Sequence, residues 1–99
     1  FLTLLWKGET ARAEAFAEAM RARSAAAAGE RALWQERLGD AAFFSGDVAR
    51  ALRQYEAALA GHGWPATVWS KLSDVHFKLG DMAKERDYRE RVYGSLRGK

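Results

Sequence analysis

Val48, Ala51, Leu52, Tyr55, Ala58 and Leu59 recur at i, i+3, i+4, i+7, i+10 and i+11, the clearest helical stripe in the chain. Ser45-Gly46-Asp47 precedes it, with Gly suited to a left-handed residue and Asp to an N-cap. Upstream, Leu33, Trp34, Leu38, Ala41 and Ala42 give Glu30 to Phe44 a broad apolar face and predict another helix. Downstream, Gly61-His62-Gly63-Trp64-Pro65 reads as a linker whose proline opens the next helix. Val68, Trp69, Leu72, Val75 and Leu79 line that helix as far as Gly80. Asp81 then heads a last helix with a thinner stripe, Met82, Tyr88, Val92 and Leu96, its end weakened by Gly94 and Gly98. At the other end, Phe1 to Lys7 reads as the last turns of a helix stopped by Gly8. Glu9 starts a helix that carries Ala13, Phe16, Ala17 and Met20 and runs through Ala25–Ala28 to a stop at Gly29.

These elements repeat. Leu38, Asp40, Phe43, Gly46 and Asp47 return 34 residues later as Leu72, Asp74, Phe77, Gly80 and Asp81. A fixed period of this size marks stacked helical hairpins. Gly8 lies 38 residues before Gly46, so the first unit carries four extra residues, placed most simply at its alanine run.

Composition agrees with a helical chain. Of the 99 residues 48% are apolar, with one Pro and no Cys, and Ala, Glu and Arg are abundant. That is a folded composition with neither disulfides nor thiolate chemistry. The net charge of +3 falls entirely on residues 66–99, eight Lys or Arg against five acids. A modest basic tail of this kind is read as a solvated face, so nucleic acid is an unlikely partner. No apolar run approaches the roughly 20 residues of a membrane span. The chain begins at Phe1 and reads as an excerpt from a longer protein. No signal is visible in it, which leans the reading toward the cytoplasm and leaves the compartment open.

Leu38-Gly39, Gly46-Asp47, Ala51, Tyr55 and Ala58, followed by Trp69, Leu72, Phe77, Gly80 and Asp81, resemble the consensus of the tetratricopeptide repeat family. The resemblance covers about residues 30–97 well and 1–28 loosely, about two and a half repeats. It implies an all-α fold, a right-handed α-solenoid of antiparallel helix hairpins. Residues 1–99 then form one domain: a partial first hairpin over 1–28, a second over 29–62 and a third, C-terminal hairpin over 63–99. Gly39 and Ala51 are small where two helix backbones approach, and Tyr55 fills the space between hairpins. The third unit departs from the pattern. It has Ser73 for Gly39, Glu85 for Ala51 and Arg89 for Tyr55, which suits a last helix with no further hairpin stacked on it. Pro65 also lies two residues later than the family's proline.

The resemblance further implies a non-enzymatic scaffold that binds a peptide segment of a protein partner along a concave groove. Helical spacing places Leu33, Arg37, Asp40 and Phe44 on that face, with Glu36 and Phe43 beside it. One period on come Thr67, Lys71, Asp74 and Lys78, with Ser70 and Phe77 beside them. Rows of basic and acidic residues suit an extended peptide. The plainer reading pairs Arg37 with Asp74, or each basic residue with the Asp three residues on. Acid at Asp40 and Asp74 speaks against the family variant that clamps a C-terminal carboxylate.

Nothing suggests an enzyme, a cofactor or a metal. The serines have no nucleophile-elbow pattern, and Gly61-His62-Gly63 is too short for a phosphate loop. His62 is expected to be a solvated turn residue and His76 a partly buried packing residue; together they make no zinc pattern. Trp6, Trp34 and Trp69 are expected in the core, and Trp64 as a lid on the hairpin junction. A second function class is self-association through the apolar Phe1–Trp6 segment.

Overall fold

The computed structural model describes residues 1–23 and 28–97. They form six helices: α1 (Leu2–Trp6), α2 (Thr10–Arg23), α3 (Ala28–Ser45), α4 (Val48–Ala58), α5 (Pro65–Leu79) and α6 (Met82–Arg97). There is no strand among the described residues. Each helix packs on its successor, from α1 on α2 through α5 on α6.

The repeat is visible in the backbone at three corners. Gly8, Gly46 and Gly80 all take a left-handed φ, of 76°, 92° and 81°. At each corner the glycine N–H reaches the carbonyl three residues back, and the next N–H reaches five back. The distances are 3.0 and 2.9 Å at Gly8, 3.1 and 3.0 Å at Gly46, and 3.1 and 2.9 Å at Gly80. This is a Schellman closure, which needs one residue free of the Cβ penalty at positive φ. The acid after each glycine then accepts the first N–H of the next helix on its own carbonyl: Glu9 from Ala13, Asp47 from Ala51 and Asp81 from Glu85, each at 3.0 Å. Asp47 and Asp81 also cap with their side chains, to Arg50 N at 3.1 Å and Lys84 N at 3.2 Å. Glu9 turns its carboxylate to Arg12 instead, at 3.0 Å.

The main core is built by α3, α4 and α5. Ala42, Ala51, Ala58, Val68, Leu72 and Val75 are sealed from solvent and Tyr55 nearly so, with Phe43, Leu52 and Tyr88 packed around them. Alanines at the contacts let the helices approach closely, which is why this Ala-rich chain packs well with few large side chains. A smaller cluster of Leu5, Ala13 and Ala41 ties the N-terminal helices to α3. Contacts also skip one helix. Arg50 of α4 pairs with Glu14 of α2, and Lys71 of α5 reaches Glu36 and Asp40 of α3.

Four local expectations change. Gly29 does not stop α2; it lies in the first turn of α3, which starts at Ala28. The continuation of α2 into the alanine run falls on residues 24–27, outside those described. Trp6 is not a core residue but 86% exposed. It follows the last buried position of α1, Leu5, and five residues are too short a helix to carry a second packing face. Trp34 is half-buried, edge-on to Phe1 at 6.4 Å and to Phe16 at 5.6 Å between ring centroids. Trp64, at the head of α5, is largely exposed and lines a recess with Trp69 and Leu96.

In the third unit the polar substitutions form a chain of their own. Ser73 donates to Glu85 at 3.1 Å, and Arg89 holds the same carboxylate at 3.0 Å. Glu85 thus lies against α5 with both oxygens partnered, which removes the cost of a lone carboxylate at a tight contact.

Candidate functional site

The face shared by α3 and α5 holds a polar network that ties the second unit to the third. Glu36 is 2% exposed. Its Oε2 meets Lys71 Nζ at 2.6 Å and its Oε1 meets His62 Nε2 at 2.7 Å, with the Thr67 hydroxyl 3.2 Å away. Asp40, one turn on along α3, accepts Tyr55 OH at 2.6 Å, Arg37 at 3.1 Å and Lys71 at 3.0 Å. A single ammonium on α5 therefore sits between two carboxylates of α3.

His62 reaches Glu36 because of its linker. The Trp64 backbone N–H donates to His62 Nδ1 at 2.9 Å, so the proton of the neutral ring lies on Nε2 and points at the carboxylate. Its side chain is 6% exposed. This corrects the expectation of a solvated turn residue. Glycines on both sides let the loop fold the ring inward, where Glu36 supplies an acceptor. His76 is buried as a packing residue, stacked on Tyr88 at 5.7 Å.

The electrostatics follow from burial and partners. Burial alone raises the Glu36 pKa, but the hydrogen bonds from Lys71 and His62 outweigh it and hold the carboxyl below its ordinary range. The Tyr55 phenol is pushed well above its usual value, first by burial and then by the Asp40 carboxylate. It remains a neutral donor to Asp40.

The predicted groove residues separate into groups. Asp40, Phe43, Phe44, Lys71 and Asp74 come together with Tyr55 around an open recess of about 180 Å³. Arg37 flanks it through Asp40. Thr67 belongs to the Glu36 cluster, while Leu33, Phe77 and Lys78 stand on the surface outside the recess. The pairing is mixed. Arg37 takes the Asp three residues on, whereas Lys71 turns back to the second unit's carboxylates and leaves Asp74 exposed. Neither basic residue is available as a free row of cations.

Glu36, His62 and Tyr55 complete the network without having been placed in it by the stripe of Leu33, Arg37, Asp40 and Phe44. The inward side of α3 runs one residue earlier, through Ala32, Glu36, Gly39 and Phe43, which are at i, i+4, i+7 and i+11. A one-residue offset is about 100° of helix rotation, enough to exchange a groove position for a buried one. The signal for Glu36 was its place beside buried Ala32 and Gly39; His62 offered only its flanking glycines.

Among the described residues, no cluster of His, Cys, Asp and Glu could hold a metal ion, and no helix is long and apolar enough to cross a membrane. No protein-family model, no curated protein and no solved structure matches this chain.

Proposed function

We propose that the chain is a non-enzymatic protein-interaction module, a tetratricopeptide-like fragment of a helical-hairpin solenoid. It takes a partner's peptide segment along the face of α3 and α5. The observation that carries this reading is the placement of exposed aromatics. Phe44 and Phe77 are 61% and 64% exposed on the C-terminal turns of these two helices, beside a recess floored by Tyr55. Large apolar side chains held in water on rigid helices suit anchor contacts with a partner. The 34-residue period, the three matching corners and the helix-to-next-helix packing support the solenoid reading. Among the described residues no surface constellation offers a nucleophile with its base, so binding rather than catalysis is the reading these side chains favour.

A random peptide library screened on the chain tests the groove. Phe44→Ala with Phe77→Ala is expected to weaken selected peptides about tenfold or more, as loss of interface anchors does. Both side chains are mostly exposed, so the fold survives their removal. Unchanged binding of every selected peptide removes the groove.

Self-association is the second reading, favoured by Trp6 at 86% and Leu2 at 62% exposure on α1. Sedimentation at high concentration separates the two: a strict monomer, unaltered by Trp6→Ser, rules it out.

A further inference from the structure

We propose that the α3–α5 recess selects a basic–apolar segment: an apolar side chain in the recess followed by an Arg or Lys directed at Asp74. This rests on the groove reading above and adds to it the chemistry of the partner.

The argument is an accounting of charge around one cavity. Its walls are Phe43, Phe44 and Tyr55, with Asp40, Lys71 and Asp74 at the polar side. Its volume, about 180 Å³, lies below the roughly 300–1,000 Å³ of small-molecule sites and suits a single side chain. The cation in the wall is already engaged. Lys71 Nζ lies 2.6 Å from Glu36 and 3.0 Å from each oxygen of Asp40. Arg37 also holds Asp40, at 3.1 Å.

Asp74 differs from the other two carboxylates. It is exposed and has no hydrogen-bond or ion-pair partner among the described residues. Two carboxylates, Asp40 and Asp74, thus face one cation, Lys71, in the wall of the recess, so the wall carries a net negative charge. An incoming acid meets that field. It gains a cation only by drawing Lys71 away from Glu36 and Asp40, which are buried and would lose their partner. An incoming cation meets an unpaired acid already in water, at little desolvation cost. Lys78, one turn beyond Asp74, is exposed but lies outside the recess wall, so it offers an acidic partner a contact only outside the recess.

The repeat explains why Asp74 is unpaired. Its equivalent, Asp40, is covered by Tyr55 of its own unit and Lys71 of the next. In the third unit Arg89 stands in place of Tyr55 and is turned to Glu85.

The test is selection of random display peptides on the full chain, followed by titration of fluorescein-labelled selected peptides against variants. The expected result is enrichment of an aromatic or aliphatic residue followed by Arg or Lys. Those peptides should bind Asp74→Asn about fivefold more weakly and Asp74→Lys more weakly still, with the loss shrinking at high salt. Enrichment of acidic peptides overturns the inference, as do basic peptides that bind Asp74→Lys as tightly as wild type. In either case a loss of binding in Phe44→Ala leaves the groove reading standing. If no selected peptide responds to Phe44→Ala, the groove reading falls and the inference with it. Asp74 is on the surface, so circular dichroism of both variants is expected to match wild type.

Discussion

Lys71→Met is expected to destabilise the chain by about 3 kcal/mol, the lower end of what removing one partner of a buried ion pair costs. The lower end applies because the Lys71 side chain is 29% exposed, while Glu36 is 2% and Asp40 10%. The methionine keeps the apolar stem of the lysine and removes the charge, so packing stays nearly constant. What remains is Glu36 with His62 and Thr67, and Asp40 with Tyr55 and Arg37, two carboxylates without the ammonium between them. Urea unfolding monitored by circular dichroism measures the loss. A change below about 0.5 kcal/mol, the scale of ordinary surface substitutions, would show that the lysine does not hold α5 to α3. A double-mutant cycle with Glu36→Gln should give a coupling of about 1–3 kcal/mol, as groups in one network do.

The same network sets an acid limit. The Glu36 pKa is lowered in the fold, so its stabilising contribution is complete above the ordinary glutamate value of about 4.3 and is lost as the pH falls through the folded value. Wild-type stability should therefore fall on acidification below about pH 4.5, and Lys71→Met should show a shallower slope there, because less of the depression remains to be lost.

The all-helical class and the order of the helices were legible in the sequence because the signals were local and repeated. Gly8, Gly46 and Gly80 each end a helix, and an acid follows each one; a corner is determined by two or three neighbouring residues. The stripe Val48, Ala51, Leu52, Tyr55 and Ala58 needed only helical periodicity, and α4 starts at Val48 as that stripe requires. Gly29 failed the same logic, because a glycine can precede a helix as well as end one, and only its neighbours in space decide. The network was harder to read. Its members, Glu36, Asp40, Tyr55, His62 and Lys71, come from three helices and a loop, and their pairing depends on helix rotation. An error of one residue on α3 placed Arg37 on the binding face and left Glu36 beside it, although Glu36 is the more deeply buried. His62 required knowing that the loop turns inward, which periodicity does not encode.

Gly39→Ala should destabilise the protein by about 2 kcal/mol, although alanine is the better helix former by about 1 kcal/mol. A Cβ built at Gly39 comes within 2.5 Å of Cδ1 and Cε1 of Tyr55 and 3.0 Å of its Cγ, so the ring would have to move. It has nowhere to go. Tyr55 is 3% exposed and packed among Ala42, Ala51 and Ala58, and its hydroxyl is anchored on Asp40 at 2.6 Å. Overpacking of this kind costs about 1–3 kcal/mol, and pulling the hydroxyl from a buried carboxylate adds about 1–3 kcal/mol, so the propensity gain is outweighed. The third unit provides the comparison. At the position of Gly39 it carries Ser73, and at that of Tyr55 it carries Arg89, so a larger residue on one helix accompanies the loss of the ring on the other. The sign of the substitution should therefore depend on the ring. In a Tyr55→Ala background, already weakened by its cavity, adding Gly39→Ala should be neutral or stabilising by about 0.5–1 kcal/mol. Thermal and urea unfolding of the four proteins would measure this reversal. A Gly39→Ala that is harmless while Tyr55 is present would mean that the α3–α4 contact is not built on the ring lying against the glycine.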